Sequence, residues 1–463
     1  MQVAATTELK SLFQVAEHLF KTDQYADAKK HYFQILSLNP DHWVSYVRLG
    51  IIFKKEDKLD IARVYLERAI AIKSDQPSLW IALAYLLEKQ GNLPEALQAF
   101  KRAQELVPVA DPLTAYRMGF LCEKMVLPTP AIQYFNQVID RIQDAPEQAD
   151  LSVKSHFRRA MARLQLGDYP AGWADYEART HYERSTIPKI AGQQWTGQPL
   201  EGKTILAAHE QRYGDAIQFV RFVPRLKAPG TRILLQCPTE LKRLFQSVAG
   251  VDEVVASTDP LPNYDFYVHT ASIPAVLKIP LGELAQGSPY LRINDEDIVS
   301  KIAVRSGTSL KVGLIWAGKP WPDRSIPLPM LMNLLRHREV AFYSFQLGDR
   351  RNDMNTHRAR WLLQDLAEQI GDFYDSSLLM KQMDLIITID TAAAHQAGAL
   401  GIPVWVMLKY QADWRWMLDR DDSPWYPTMR LFRQQGRSWE EAARKLDHEF
   451  SVWVNERTCP RNN

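Results

Sequence analysis

Cysteine is scarce: the 463 residues hold three, Cys122, Cys237 and Cys459, scattered and without CxxC spacing. So few, odd in number, exclude a disulfide framework or a zinc cluster and suit a reducing cytoplasm. Net charge is nearly absent, since 56 Lys and Arg oppose 54 Asp and Glu to leave +2. General attraction to nucleic acid or anionic lipid is therefore excluded, and any anion site must be local. No apolar run approaches the ~18 residues of a membrane span. The N-terminus, MQVAATTELKSLFQVAEHLF, lacks a basic segment followed by a continuous apolar one, so it does not read as a signal peptide. No DxD-like triplet stands at an expected strand end, so any phosphate charge must be met by cations and helix dipoles; no cofactor is expected. What remains is 46% hydrophobic and 24% charged, an ordinary globular balance. The length calls for two or three domains.

An internal repeat organises the first part. Ala28, Ala62, Ala96 and Ala131 recur at intervals of 34, 34 and 35 residues. A bulky residue follows each by four positions: Tyr32, Leu66, Phe100 and Phe135. Upstream, a large-small pair recurs as Val15-Ala16, Leu49-Gly50, Leu83-Ala84 and Met118-Gly119. A fifth unit places Gly172 at the small position and Tyr176 at the large one. Short amphipathic helices cannot bury their faces alone; small residues let neighbours approach while large ones fill the gap. The pattern resembles the tetratricopeptide repeat over roughly residues 9–180, which implies a curved solenoid holding a peptide or protein on its concave face. A scaffold that only supports or dimerises the second half is the alternative.

After about residue 185 the rhythm changes to short β-branched strands alternating with helices. Expected strands cover 204–208, 232–237, 253–257 and 264–270, then 311–317, 341–347, 384–390 and 404–408. Such runs imply two parallel, doubly wound sheets with a cleft at the carboxyl ends of their strands. The segment 281–307 reads as a linker, and the helical pattern 438–457 is expected to pack back across both domains.

Four motifs carry chemistry. In HEQRYGDAIQFVRFVPRL a Gly-Asp turn after the first strand puts Asp215 at the cleft edge, where it can take a proton; it can equally be the helix N-cap. Glu210, Arg212 and Gln218 flank it as acceptor-side candidates. In DLIITIDTAAAHQAGALGIPVWVML, Asp390 ends a buried strand. Thr391 and Ala392 open a small-residue helix whose N–H groups can approach a diphosphate, and His395 sits one turn in. A tightly packed crossover with Asp390 as a cap is the other reading. In GLIWAGKPWPDRSIPL, Lys319 and Arg324, with Ser325, can neutralise a leaving nucleoside diphosphate. The stretch DWRWMLDRDDSPWYPTMRLFRQ suits stacking on bases or sugars, or packed cation–π structure, equally.

Together HEQxxGDAIQFVRF, GLIWAG…RSIPL, IDTAAAHQAGALG and DWRWML…DSPWYPTMRLFRQ resemble bacterial tetratricopeptide-repeat proteins with a glycosyltransferase family 9-like, heptosyltransferase-related domain. The resemblance implies a GT-B fold of two Rossmann-like domains and metal-independent, inverting sugar transfer from a nucleotide sugar. It implies Asp215 as the catalytic base and donor binding by Lys319, Arg324, Ser325, Asp390, Thr391, Ala392 and His395. Where the family's donor motif has glycine this chain has Ala392, and Arg212 stands where repeat-containing relatives usually have glycine. The expected layout is a solenoid over 1–182, an acceptor domain over 183–307 and a donor domain with a terminal helix over 308–463. Expected partners are a nucleotide-sugar donor and a protein acceptor, with a homodimer allowed and no nucleic acid. A lipopolysaccharide-type acceptor, or a non-catalytic scaffold with a degenerate second half, are the competing functions.

Overall fold

The computed structural model describes residues 2–109, 111–182, 187–210, 212–298, 302, 304, 307–318, 324–436 and 438–458, with side chains from residue 8 onward. The chain forms two compact units, Met1–Ala162 and Arg163–Asn463.

The first unit is a stack of helix pairs. Its helices are α1 (Gln2–Lys21), α2 (Tyr25–Leu38), α3 (Trp43–Lys55), α4 (Leu59–Ile72), α5 (Pro77–Gln90), α6 (Leu93–Glu105), α7 (Pro112–Lys124), α8 (Pro128–Ile142) and most of α9 (Ala149–Leu166). The repeat residues do what their sizes dictate. Ala28, Ala62, Ala96 and Ala131 are fully buried, as are Tyr32, Phe100 and Phe135, with Leu66 nearly so. The large residue of one helix fills the space left by the small one of its partner. A Cβ on Gly50 would stand 2.9 Å from Leu66 Cγ, and one on Gly119 2.7 Å from Phe135 Cε1. Four inter-helix turns share one backbone solution, a left-handed residue at Asp23, Asp57, Gly91 and Val126. In each, the next N–H reaches back five residues, as Leu127 N does to Cys122 O at 2.9 Å, which closes the helix end.

The second unit opens with α10 (Tyr169–Tyr176), the second helix of the fifth repeat. A Cβ on Gly172 would meet Leu164 at 2.7 Å, so the repeat rule still holds there. Yet Trp173 of α10 is fully buried against Phe219, Trp414 and Trp425 and donates its indole N–H to Ile279 O at 3.0 Å. That aromatic packing ties α10 to the helices and loops of the second unit.

Two all-parallel sheets follow. The first contains β1 (Gln193–Gln194), β2 (Thr204–Ala208), β3 (Arg232–Cys237), β4 (Glu253–Ala256) and β5 (Phe266–His269), in the order β1-β5-β2-β3-β4. The second contains β6 (Leu310–Leu314), β7 (Val340–Ser344), β8 (Leu363–Asp365), β9 (Leu385–Ile389), β10 (Val404–Leu408) and β11 (Met429–Arg433), in the order β11-β10-β9-β6-β7-β8. Strands β7, β9 and β10 are buried at every position, as a sheet covered on both faces requires. Between the strands lie α11 (Tyr213–Phe219), α12 (Lys242–Phe245), α13 (Ile273–Val276), α14 (Asp353–Thr356), α15 (Phe373–Met380) and α16 (Ala392–Ala399), and α17 (Glu440–Thr458) closes the chain.

Strand order reverses between β2 and β5 in the first sheet and between β6 and β9 in the second. In open parallel sheets the crevice outside such a reversal is where ligands bind. Two expectations are corrected. The segment after 281 is no free linker: Leu284 and Leu291 are buried, and the N–H groups of Tyr290 and Leu291 both reach Ala399 O. The terminal helix α17 does not bridge two domains. Its apolar stripe, Ala442, Leu446, Phe450, Trp453 and Val454, lies in the core of the second sheet with Phe342, Trp405 and Phe432.

Candidate functional site

Asp215 stands in the first turn of α11, three residues after the cap position, which Arg212 occupies in extended conformation without a side-chain cap bond. The capping reading of Asp215 is thereby removed. The helix is shorter than expected: after Phe219 it tightens into a 3-10 segment containing Pro224, which has no N–H to donate. Glu210 is buried as the partner of Arg179, whose Nε lies 2.9 Å away, and Arg179 also donates to Ser272 Oγ at 2.7 Å. Arg212 is exposed. Gln218 is fully buried.

Arg415, which sequence reasoning did not single out, anchors the site. Its Nη2 donates to Asp215 Oδ1 at 2.6 Å, its Nη1 to Asp413 Oδ1 at 2.8 Å, and its Nε to Gln218 Oε1. The guanidinium lies over the Trp414 ring, 4.4 Å from its centroid. Burial pushes the Asp215 carboxyl above its usual range, helped by the nearby Asp413 and Glu210 and opposed by Arg415 and Arg212. Its side chain is still 28% exposed, so a route to solvent remains.

The second loop comes from the reversal in the other sheet. Thr391 caps α16 with extended backbone, and Ala392 opens the helix, so the first N–H groups have no partner within the helix and stand beside side chains of minimal size. Arg324 Nε donates to the Asp390 carbonyl, and a Cβ on Gly318 would lie 3.4 Å from Arg324 Cδ and 3.5 Å from Thr391 Cγ2. Ser325 Oγ accepts the Gly318 N–H at 3.3 Å. Burial, with Asp413 adding to it, raises the Asp390 carboxyl, against the pull of Arg324. His395 is buried, stacks on Trp416 at 5.3 Å, and shares a 2.9 Å hydrogen bond between Nδ1 and the Tyr426 hydroxyl. Burial, reinforced by Arg415, Arg221 and Arg324, holds its imidazole well below the usual range and hence neutral.

The two loops meet. A Cβ on Gly214 would lie 3.1 Å from His395 Cδ2 and 3.7 Å from Ala392 Cα. The structure thus brings together Asp215, Gln218, Arg324, Ser325, Asp390, Thr391, Ala392 and His395, with Arg415 and Asp413 added. Lys319 lies outside the described residues. Of the aromatic-arginine stretch, Trp414, Trp416, Trp425 and Tyr426 are buried as packing and residues 429–433 are strand β11. No helix of the described residues is long and apolar enough to cross a membrane.

Comparison with known proteins bears on the first unit most directly. Models of the tetratricopeptide repeat match residues 44–76 and 77–108, so the N-terminal helices form a tetratricopeptide-repeat array. Over most of its length the chain is similar to Protein FlbA of Caulobacter vibrioides: 24% identical over 486 residues, covering 91% of this chain and 80% of FlbA. A shorter similarity to DnaJ homolog subfamily C member 3 of Mus musculus, 26% over 107 residues, covers 23% of this chain and 21% of that protein. Among solved structures, YrrB, a TPR protein with an unusual peptide-binding site, matches 38% of this chain and 90% of its own at 15% identity and TM-score 0.33. MamA matches 35% of this chain and 91% of its own at 14% identity and TM-score 0.32.

Proposed function

We propose that the second unit is a GT-B-type glycosyltransferase that moves a sugar from a nucleotide-sugar donor to a protein held by the repeat array. The observation that carries this reading is the approach of the Gly214-Asp215 turn to the start of α16, two loops from the reversal points of two separate sheets. One loop offers a carboxylate with a route to solvent. The other offers a helix N-terminus, small side chains and Arg324, which suit a diphosphate.

In the reaction, Asp215 takes the proton of the acceptor hydroxyl or amide as its oxygen or nitrogen bonds to C1 of the donor sugar. The bond from C1 to the donor phosphate oxygen breaks, and the electron pair leaves on the nucleoside diphosphate. Negative charge then grows beside Arg324 and the N–H groups of Thr391 and Ala392, where fixed positive ends of dipoles stabilise it. Attack from the face opposite the leaving group inverts the anomeric centre.

A second reading, a protein-interaction scaffold without catalysis, draws support from the ion pair in which Arg415 engages Asp215. Asp215→Asn separates the two. Under the transferase reading, sugar transfer, followed by mass spectrometry of acceptor protein from cells, disappears while donor binding persists. Cellular function unchanged by the substitution would favour the scaffold.

A further inference from the structure

We propose that Arg415 is a positioning residue that holds Asp215 as an anion and reserves one of its carboxylate oxygens for the acceptor. The inference rests on the reading of Asp215 as a base. Arg415 belongs to the segment after β10 of the second sheet, whereas Asp215 and Gln218 belong to α11 beside the first. Three acceptors fix the guanidinium: Asp215 Oδ1, Asp413 Oδ1 and Gln218 Oε1. Face contact with Trp414 blocks the remaining freedom of the plane. The arginine side chain is 9% exposed and that of Asp215 28%, so the cation is sealed while the carboxylate still opens outward. The hydrogen bond from Arg415 engages Oδ1 and leaves Oδ2 to receive a proton.

The charges facing Asp215 are Arg415, Asp413, Arg212 and Glu210. Two of these are carboxylates and Glu210 is already matched by Arg179, so Arg415 is the buried cation that keeps Asp215 charged. A planar fork suits three acceptors in fixed directions in a way that an ammonium does not.

The test is a pH titration of the Asp215 carboxyl carbon by NMR in the full chain labelled at aspartate Cγ, with the signal assigned by its loss in Asp215→Asn. In Arg415→Gln the midpoint is expected to rise by about 1 to 3 pH units, the usual effect of removing an adjacent opposite charge. Arg415→Lys keeps the charge without the fork and should fall between the two; it also serves if the glutamine variant fails to fold. Midpoints unchanged in both variants would overturn the proposal. Transfer that survives Asp215→Asn would instead remove Asp215 as the base, whatever Arg415 does to its titration.

Discussion

Gly214 stands so close to His395 that a single added carbon would lie 3.1 Å from the imidazole Cδ2. His395 has little room to withdraw, because Trp416 stacks on one face and Tyr426 holds Nδ1. The backbone at Gly214 is helical, so alanine is conformationally acceptable and the obstacle is space. Gly214→Ala is therefore expected to destabilise the second unit by about 1–3 kcal/mol, as overpacking does, and to displace Asp215. Urea unfolding of the variant checks the first effect, and loss of sugar transfer the second. An unchanged midpoint would show that the two loops are not in contact.

The fourth inter-helix turn carries an unfavourable residue. Val126 adopts φ +59°, where the equivalent positions hold Asp23, Asp57 and Gly91. A β-branched side chain in the left-handed region is strained by roughly 1–3 kcal/mol. Val126→Gly is expected to stabilise the array by about 1 kcal/mol, net of the entropy that glycine adds to the unfolded chain. Thermal unfolding followed by circular dichroism at the helix band measures it.

Those turns also show what was legible in sequence. The repeat was readable because one rule recurs at a nearly fixed interval: a large-small pair, then a small residue with a large one four positions on. The strands at 204–208, 232–237 and 404–408 were readable because each holds a short apolar run, at 205–208, 233–235 and 404–408. Strand β11 was not, since its mixed run of Met429, Arg430, Leu431, Phe432 and Arg433 sits within a stretch whose Trp and Arg content suggested ligand stacking. Asp215, Asp390 and His395 were visible because each follows a strand in a small-residue turn. Arg415 was not, because nothing local to DWRW says that it meets Asp215, 200 residues earlier in the chain. Likewise α10 keeps the repeat spacing, and only the third dimension reveals that Trp173 packs with Trp414 and Trp425.

Stability should depend on pH through His395. Its imidazole is held neutral in the folded chain, with a pKa well below the ordinary value of about 6.5 that it regains on unfolding. Below that pH the unfolded chain binds a proton that the folded chain refuses, so the stabilisation is present above about 6.5 and declines as pH falls. The decline is at most about 1.4 kcal/mol per pH unit for one group. His209 and His269 act in the same sense, and Asp215 and Asp390 in the opposite one. The contribution of His395 is therefore the difference between the native chain and His395→Gln. Unfolding free energies of the two, measured from pH 7.5 to 5.5, are expected to show a shallower acid loss in the variant; parallel curves would contradict the assignment.

The proposed nucleotide-sugar site lies where the Asp215 and α16 loops meet. The most direct measurement is a thermal-shift screen of the full chain against nucleoside diphosphates and their sugars. A donor at 100 times its dissociation constant should add about 2.7 kcal/mol of stability. A rise in midpoint with one nucleotide family, lost in Arg324→Gln, is expected. A well-folded protein that shifts with none of them would contradict it.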